Sequence, residues 1–136
     1  MRQQQVLAGS SSLAAGARDV FGVRFVGHDA GDGIVTDDLR GLALDLRSRL
    51  GNDRPSVVAV AGVAKDRPVV IIATNDTARQ WGLRAAELVK VAARTLGGGG
   101  GGKDDLAQGG GIDATKVGEA LAKVEYAVGE RVTAGR

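Results

Sequence analysis

Gly97-Gly98-Gly99-Gly100-Gly101-Gly102-Lys103-Asp104-Asp105-Leu106-Ala107-Gln108-Gly109-Gly110-Gly111 is the stretch on which the reading of this chain turns. It holds nine of the 22 glycines in 136 residues. Six glycines in succession are costly to order, because glycine gives up more backbone freedom on folding than any other residue. Such a run is tolerated where the chain is left flexible, or where something must approach the bare backbone closely. Gly97-x-x-x-x-Gly102-Lys103 matches a P-loop up to its last position, where Asp104 replaces the Ser or Thr that would hold magnesium. A second acid, Asp105, would repel a phosphate. A P-loop also joins a strand to a helix, whereas this stretch joins two helical patterns. Nucleotide hydrolysis is therefore set aside.

Working outward, Thr77 or Asp76 can cap a helix running to Leu96. At about 100° per residue, Arg79, Glu87, Lys90 and Arg94 fall in one arc of roughly 80°. Most of the remaining circumference is apolar: Ala85, Ala86, Leu88, Val89, Ala92, Ala93 and Leu96. The pattern predicts a helix buried round most of its girth, with one narrow basic strip that leads into the glycines. Beyond them, Asp113 is a natural N-cap, Val117, Leu121, Val124 and Val128 make a helical stripe, and Glu119 and Lys123 form an i,i+4 pair. Upstream, Ser56 to Val63 and Val69 to Thr74 read as a hairpin buried on both faces, joined by Lys65-Asp66-Arg67-Pro68. Before it, Thr36 can cap a helix with Asp37 and Asp38 in its first turn, an apolar face of Leu39, Leu42, Ala43, Leu46 and Leu50, and a stop at Gly51. Residues 20–27 read as a first strand and His28 to Gly33 as a turn-rich loop. Residues 1–15 are polar and small, a linker or the end of a preceding helical segment, and residues 16–136 form the globular domain. The predicted class is α+β: a small mixed sheet of short strands packed against three main helices, with a glycine-rich loop between the last two.

Composition narrows the function. With no cysteine and one histidine there is neither a disulfide framework nor a Cys- or His-rich metal site. No apolar run is long enough to span a bilayer, and the N-terminus lacks the apolar core of a signal peptide, so the expected compartment is the cytoplasm. Aromatics at 3% argue against a base-stacking platform. The net charge of +2 divides evenly between the two halves, so any basic patch must be local. His28, near Asp29 and Asp32, has no nucleophile or second ligand beside it and reads as a loop histidine without a catalytic role. Asp104 and Asp105 read as loop carboxylates that screen Lys103. From Arg79 to Lys103 there are five basic residues (Arg79, Arg84, Lys90, Arg94, Lys103) against Glu87 alone. Cations beside bare amides suit phosphate oxygens. From the residues alone, phosphate-backbone binding and an ordinary solvated face stand level.

The glycine stretch, preceded by a helix carrying Ala85-Ala86-Glu87-Leu88-Val89-Lys90, resembles the carboxy-terminal, DHH-associated C-Ala domain of alanyl-tRNA synthetases. That family's signature has the sense GG-x-GGG-(R/K)-P-x-x-A-Q-x-GG followed by one last helix, and the match covers Gly98 to Gly111. Asp104 stands where the family usually has proline, and Leu106 where it often has methionine. The resemblance implies a parent enzyme that attaches alanine to tRNA with ATP, magnesium and zinc and edits mischarged tRNA. It implies that this domain is non-catalytic and holds no cofactor of its own. Its implied role is to grip the outer corner of tRNA so that aminoacylation and editing share one bound molecule. The implied partners are tRNA, the remainder of the synthetase and, through this domain, a second copy. The expected nucleic-acid contacts are Arg79, Lys90, Arg94 and Lys103, with Gly98, Gly99, Gly100, Gly101, Gly102, Gln108, Gly109, Gly110 and Gly111 allowing close approach. Two alternatives stay open: a protein-interaction or dimerisation module, and the nucleic-acid-binding accessory domain of a DHH-type phosphodiesterase.

Overall fold

The computed structural model describes residues 16–134, so the expected linker at residues 1–15 lies outside the described residues. The architecture is built on the central hairpin. β3 (Ser56–Ala64) and β4 (Arg67–Thr74) pair antiparallel through a two-residue turn in which Lys65 and Asp66 both have positive φ, 52° and 66°. That is the mirror-image turn whose twist matches a tight hairpin. Alternation then sorts the side chains. Val57, Ala59, Ala61, Val70 and Ile72 enter one core, and Val58, Val60, Ile71 and Ala73 enter the other. Both faces are covered, which is why these strands read as unbroken apolar runs.

β2 (Val23–Asp32) lies parallel to β3 on one side of the hairpin, and β1 (Arg18–Val20) pairs antiparallel with β2 at the edge. On the other side come β6 (Leu106–Gly110), antiparallel to β4, and β5 (Gly100–Gly102), antiparallel to β6. The six strands stand in the order β1-β2-β3-β4-β6-β5. Helix α1 (Thr36–Leu50) covers one face through Leu39, Leu42, Ala43, Leu46 and Leu50. The other face carries α3 (Ala85–Leu96) and α4 (Val117–Ala134), with a short α2 (Asp76–Gln80) before them. The α+β class, the mixed sheet and the three main helices stand as read from the sequence.

Several local expectations are corrected. The first strand does not stop at Gly27: β2 runs through His28 to Asp32, with an irregularity in register between Asp29 and Asp32. Pairing with β3 (His28 opposite Val60) outweighs the turn preference of Asp and Gly there. The single helix expected from Asp76 or Thr77 to Leu96 is broken after Gln80. Gly82 takes φ 85° and the buried Leu83 turns into the core before α3 begins. The cap of α2 is Asn75, whose side chain accepts the Ala78 N–H at 2.8 Å. Thr36 is the first residue of α1 and not its cap; Val35 precedes it without a side-chain cap. Gly51 ends α1 as expected, with φ 73°. Asp113 caps a 3-10 turn (Ala114–Lys116) that leads into α4. Glu119 and Lys123 come no closer than 4.0 Å, so that pair does not form as an ion pair. The glycine connection between the last two helices, expected as a loop, contains β5 and β6.

Candidate nucleic-acid interface

Gly97 closes α3 in the left-handed region, φ 83°, and the Gly98 N–H donates to Ala93 O at 2.9 Å. The chain then reverses and runs back along α3 as β5. At the far end the carbonyl of Asp104 accepts the Ala85 N–H at 2.8 Å, satisfying one of the open amides that start α3. A P-loop would put its glycines ahead of a helix N-terminus. Here they follow a helix C-terminus, and a protein carbonyl occupies the position a phosphate would take.

Six of the glycines are required by the packing of the chain on itself. A Cβ on Gly98 would lie 2.2 Å from Gly110 O, and one on Gly111 would lie 2.2 Å from Leu96 O. On Gly100 it would meet Gly109 Cα at 2.7 Å, on Gly102 Ala107 Cα at 2.7 Å, and on Gly110 Pro68 O at 2.8 Å. Gly109 lies under α3, where a Cβ would come 3.1 Å from Val89 Cγ2 and 3.3 Å from Ala93 Cβ. Gly99 and Gly101 are different. Neither has positive φ, and a Cβ on either meets nothing within 4 Å. The close approach anticipated from the sequence is made, for most of the run, by the protein's own backbone. Only Gly99 and Gly101 leave room for something else.

The edge strand also presents polar groups. The Lys103 N–H donates to Leu106 O (3.0 Å) and the Gly110 N–H donates to Gly99 O (3.2 Å), so residues 99, 101 and 103 turn their backbone groups inward to β6. Gly100 and Gly102 therefore turn theirs outward, along an edge with no side chain to cover it.

Several cations around this edge have no carboxylate partner; the lysines share this with every other lysine among the described residues, whereas the arginines do not. Nine of the eleven arginines among the described residues have a carboxylate within 4.0 Å; Arg67 and Arg94 do not. Lys90 and Arg94 are exposed on α3, each one position after the residues (Val89 and Ala93) that rest on Gly109. Lys103 is exposed at the end of β5. The two acids expected to screen it are turned elsewhere: Asp104 lies 3.9 Å from Arg84, and Asp105 lies 3.9 Å from Arg47, which also donates to the Asp105 carbonyl at 3.1 Å. Arg79 does not join this group. It sits on α2, its guanidinium donating to Thr74 O and pairing with Asp76, in a cleft shared with Arg47 and Asp105. The broken helix removes the spacing that aligned it with Lys90 and Arg94. Gln108 accepts a 2.8 Å hydrogen bond from Arg40, which also binds Asp37 at 3.1 Å. His28 is half-buried, and burial lowers its pKa against a smaller opposing effect of Asp29. Among the described residues no group of three His, Cys, Asp or Glu could hold a metal ion, and no helix is long and apolar enough to cross a membrane.

A profile of the DHHA1 domain matches residues 20–130. The chain belongs to the DHHA1 family. Within that family it is of the C-terminal alanyl-tRNA synthetase type. The chain is 65% identical over 133 residues to an alanine--tRNA ligase of Kineococcus radiotolerans, covering 98% of this chain and 15% of the ligase. It is 57% identical over 128 residues to that of Thermobifida fusca, covering 94% of this chain and 14% of the ligase. The chain thus spans about one seventh of the length of these relatives. Its structure superposes on the C-Ala domain from Aquifex aeolicus alanyl-tRNA synthetase with a TM-score of 0.67 and 30% identity, over 77% of this chain and 92% of that one. A DHH-domain protein, a member of the s1p family of ribosomal proteins, shares the fold at 18% identity and a TM-score of 0.63, over 95% of this chain and 30% of that one. Two side chains at the glycine hairpin were not singled out from the sequence, Arg67 and Arg40. Arg67 read as part of a turn; its signal is that it keeps the alternation of Val69 and Ile71, which makes it a strand residue.

Proposed function

We propose that this DHHA1 domain grips tRNA for an alanyl-tRNA synthetase and performs no chemistry itself. The observation that carries this reading is the set of unpaired cations, Lys90, Arg94 and Lys103, ranged along a glycine strand whose outer backbone groups are free. Cations and bare amides together fit phosphate oxygens and carry no base preference. This suits a domain that holds the outer corner of tRNA while aminoacylation and editing take place elsewhere in the enzyme. In this reading residues 16–136 are the tRNA-binding unit and residues 1–15 lead from the rest of the synthetase, where ATP, magnesium and zinc would be used, in the cytoplasm. Arg79 leaves the contact set; Gly99 and Gly101 are its points of closest approach.

The test is the salt dependence of tRNA binding by Lys90→Ala/Arg94→Ala. Losing two phosphate contacts should flatten the slope of log K against log salt by about 1.4 to 1.8. An unchanged affinity and slope would make the strip an ordinary surface. A second reading, a module for protein contact, is favoured by Phe21 and Tyr126, 59% and 67% exposed around a groove between β1 and α4. Sedimentation with and without tRNA separates the two: self-association without RNA supports the second.

A further inference from the structure

We infer that the α1-side face of the β5–β6 hairpin is a trough for a run of ribose–phosphate backbone, anchored by Arg67 at one end and Lys103 at the other. Gln108 stands between them as a neutral donor. The inference rests on the tRNA-binding reading above. It adds a residue, Arg67, and a second face of contact.

Strand parity places these residues together. On β4, Ile71 and Ala73 enter the core under α1, and Arg67 and Val69 share their parity. The register sets Gln108 opposite Ile71 and Gly110 opposite Val69, so both lie on that face. Gly101 stands opposite Gln108, and Gly99 and Lys103 take the same parity on the outer strand. Arg40 of α1 holds Gln108 through its guanidinium. Beside that contact lies an open cleft of about 490 Å³ lined by Arg67, Val69, Gly98, Gly99, Gln108 and Gly110 among others.

The chemistry of this face is one-sided. Arginine can only donate, so the Gln108 carbonyl oxygen faces Arg40 and its amide N–H groups are left to point away. Among the described residues neither Arg67 nor Lys103 has a carboxylate within 4.0 Å. The side chains that reach the trough thus offer donors and positive charge, while base edges present donors as well as acceptors. Phosphate and ribose oxygens accept. The floor is Gly99 and Gly101, the two glycines with no packing requirement for being glycine. From Lys103, level with Leu106, to Arg67, two residues past the Val69–Gly110 pair, is six residues of extended chain, roughly 20 Å. That suits a short run of backbone more than a single anion. Arg94 and Arg67, the two unpaired arginines, fall on opposite sides of the glycine edge, so the edge is gripped from both faces.

The test is tRNA binding across a salt series by the full chain and by Arg67→Ala, Arg67→Lys and Lys90→Ala/Arg94→Ala, using an unmodified tRNA transcript as the probe. Arg67 is exposed and without a partner, so neither substitution at that position threatens the fold. Arg67→Ala should weaken binding about 5- to 10-fold at low salt and flatten the salt slope by about 0.7 to 0.9, and Arg67→Lys should restore the slope. If the unaltered chain does not bind tRNA, the tRNA reading fails and the trough with it. If it binds, and the α3 double variant weakens it while Arg67→Ala does not, the trough alone is refuted. A loss with Arg67→Ala that leaves the slope unchanged refutes phosphate as the group held. A change in self-association of the RNA-free chain, with RNA binding intact, makes the trough a protein contact instead.

Discussion

Substituting alanine for single glycines of the hairpin separates the glycines that fold the domain from those that leave room for a ligand. In Gly111→Ala the new methyl would lie 2.2 Å from Leu96 O and 2.5 Å from Leu96 C, both backbone atoms. No side chain can move to relieve it. The displaced carbonyl is also the acceptor for the N–H groups of Ile112 (2.9 Å) and Asp113 (3.1 Å), the bonds that fasten the start of the last helical segment to the end of α3. Overpacking costs about 1–3 kcal/mol, and weakening two hydrogen bonds adds about 1 kcal/mol each. The sum, about 3–5 kcal/mol, corresponds to a fall in Tm of roughly 10–20 °C for a domain of this size. Gly99→Ala meets nothing within 4 Å at a φ that alanine accepts. By restricting the unfolded chain it should stabilise by about 0.4–1 kcal/mol, so Tm should hold or rise by a few degrees while tRNA affinity falls. Thermal unfolding followed by circular dichroism, with tRNA binding measured on the same samples, gives both readouts. If Gly99→Ala melts as low as Gly111→Ala, the packing distinction is wrong. If it folds normally and binds tRNA as well as the unaltered chain, Gly99 is not a point of approach.

Two further expectations concern stability. Asn75 is buried, accepts the N–H groups of Ser56 (2.9 Å) and Ala78 (2.8 Å), and donates to Gly51 O (2.9 Å) and Arg54 O (2.7 Å). Asn75→Ala strands these groups and should cost about 2–4 kcal/mol, read as a lower urea midpoint with an unchanged m-value. Because burial lowers the pKa of His28 in the folded state, the unfolded chain takes up the proton first as pH falls. Its contribution is full above the unfolded pKa and is lost as pH drops toward the folded one. The urea midpoint should therefore fall as pH drops through the ordinary histidine value of 6.5, and His28→Gln should flatten that part of the curve.

The sequence carried those parts of the fold that depend on periodicity. The central hairpin was legible because both faces of Val57 to Ala61 and of Val70 to Ala73 are buried. α1 was legible from its leucine spacing and from Gly51. What was not legible depended on contacts between distant segments. His28 to Asp32 is strand because β3 lies beside it, and α2 parts from α3 because Leu83 must enter the core. Arg79 aligns with Lys90 and Arg94 only on a continuous helix, and the break removes that alignment. β5 and β6 escaped because glycine carries no periodic signal, so nothing local distinguished a flexible loop from a tightly paired edge. Only the chain's return along α3, fixed by Gly98 at one end and Asp104 at the other, shows that most of these glycines serve packing. Lys90, Arg94 and Lys103 were legible as candidates because exposed cations beside an unusual loop stand out; Arg67, in a segment that reads as a turn, was not.

The most direct measurement is the slope of log K against log salt for tRNA binding by the unaltered chain. Four unneutralised cations flanking the glycine edge (Arg67, Lys90, Arg94 and Lys103) predict a slope of about −2.8 to −3.6, with little dependence on tRNA sequence. A slope near zero, or affinity that follows sequence and ignores salt, would contradict the assignment of the glycine hairpin to phosphate-backbone binding.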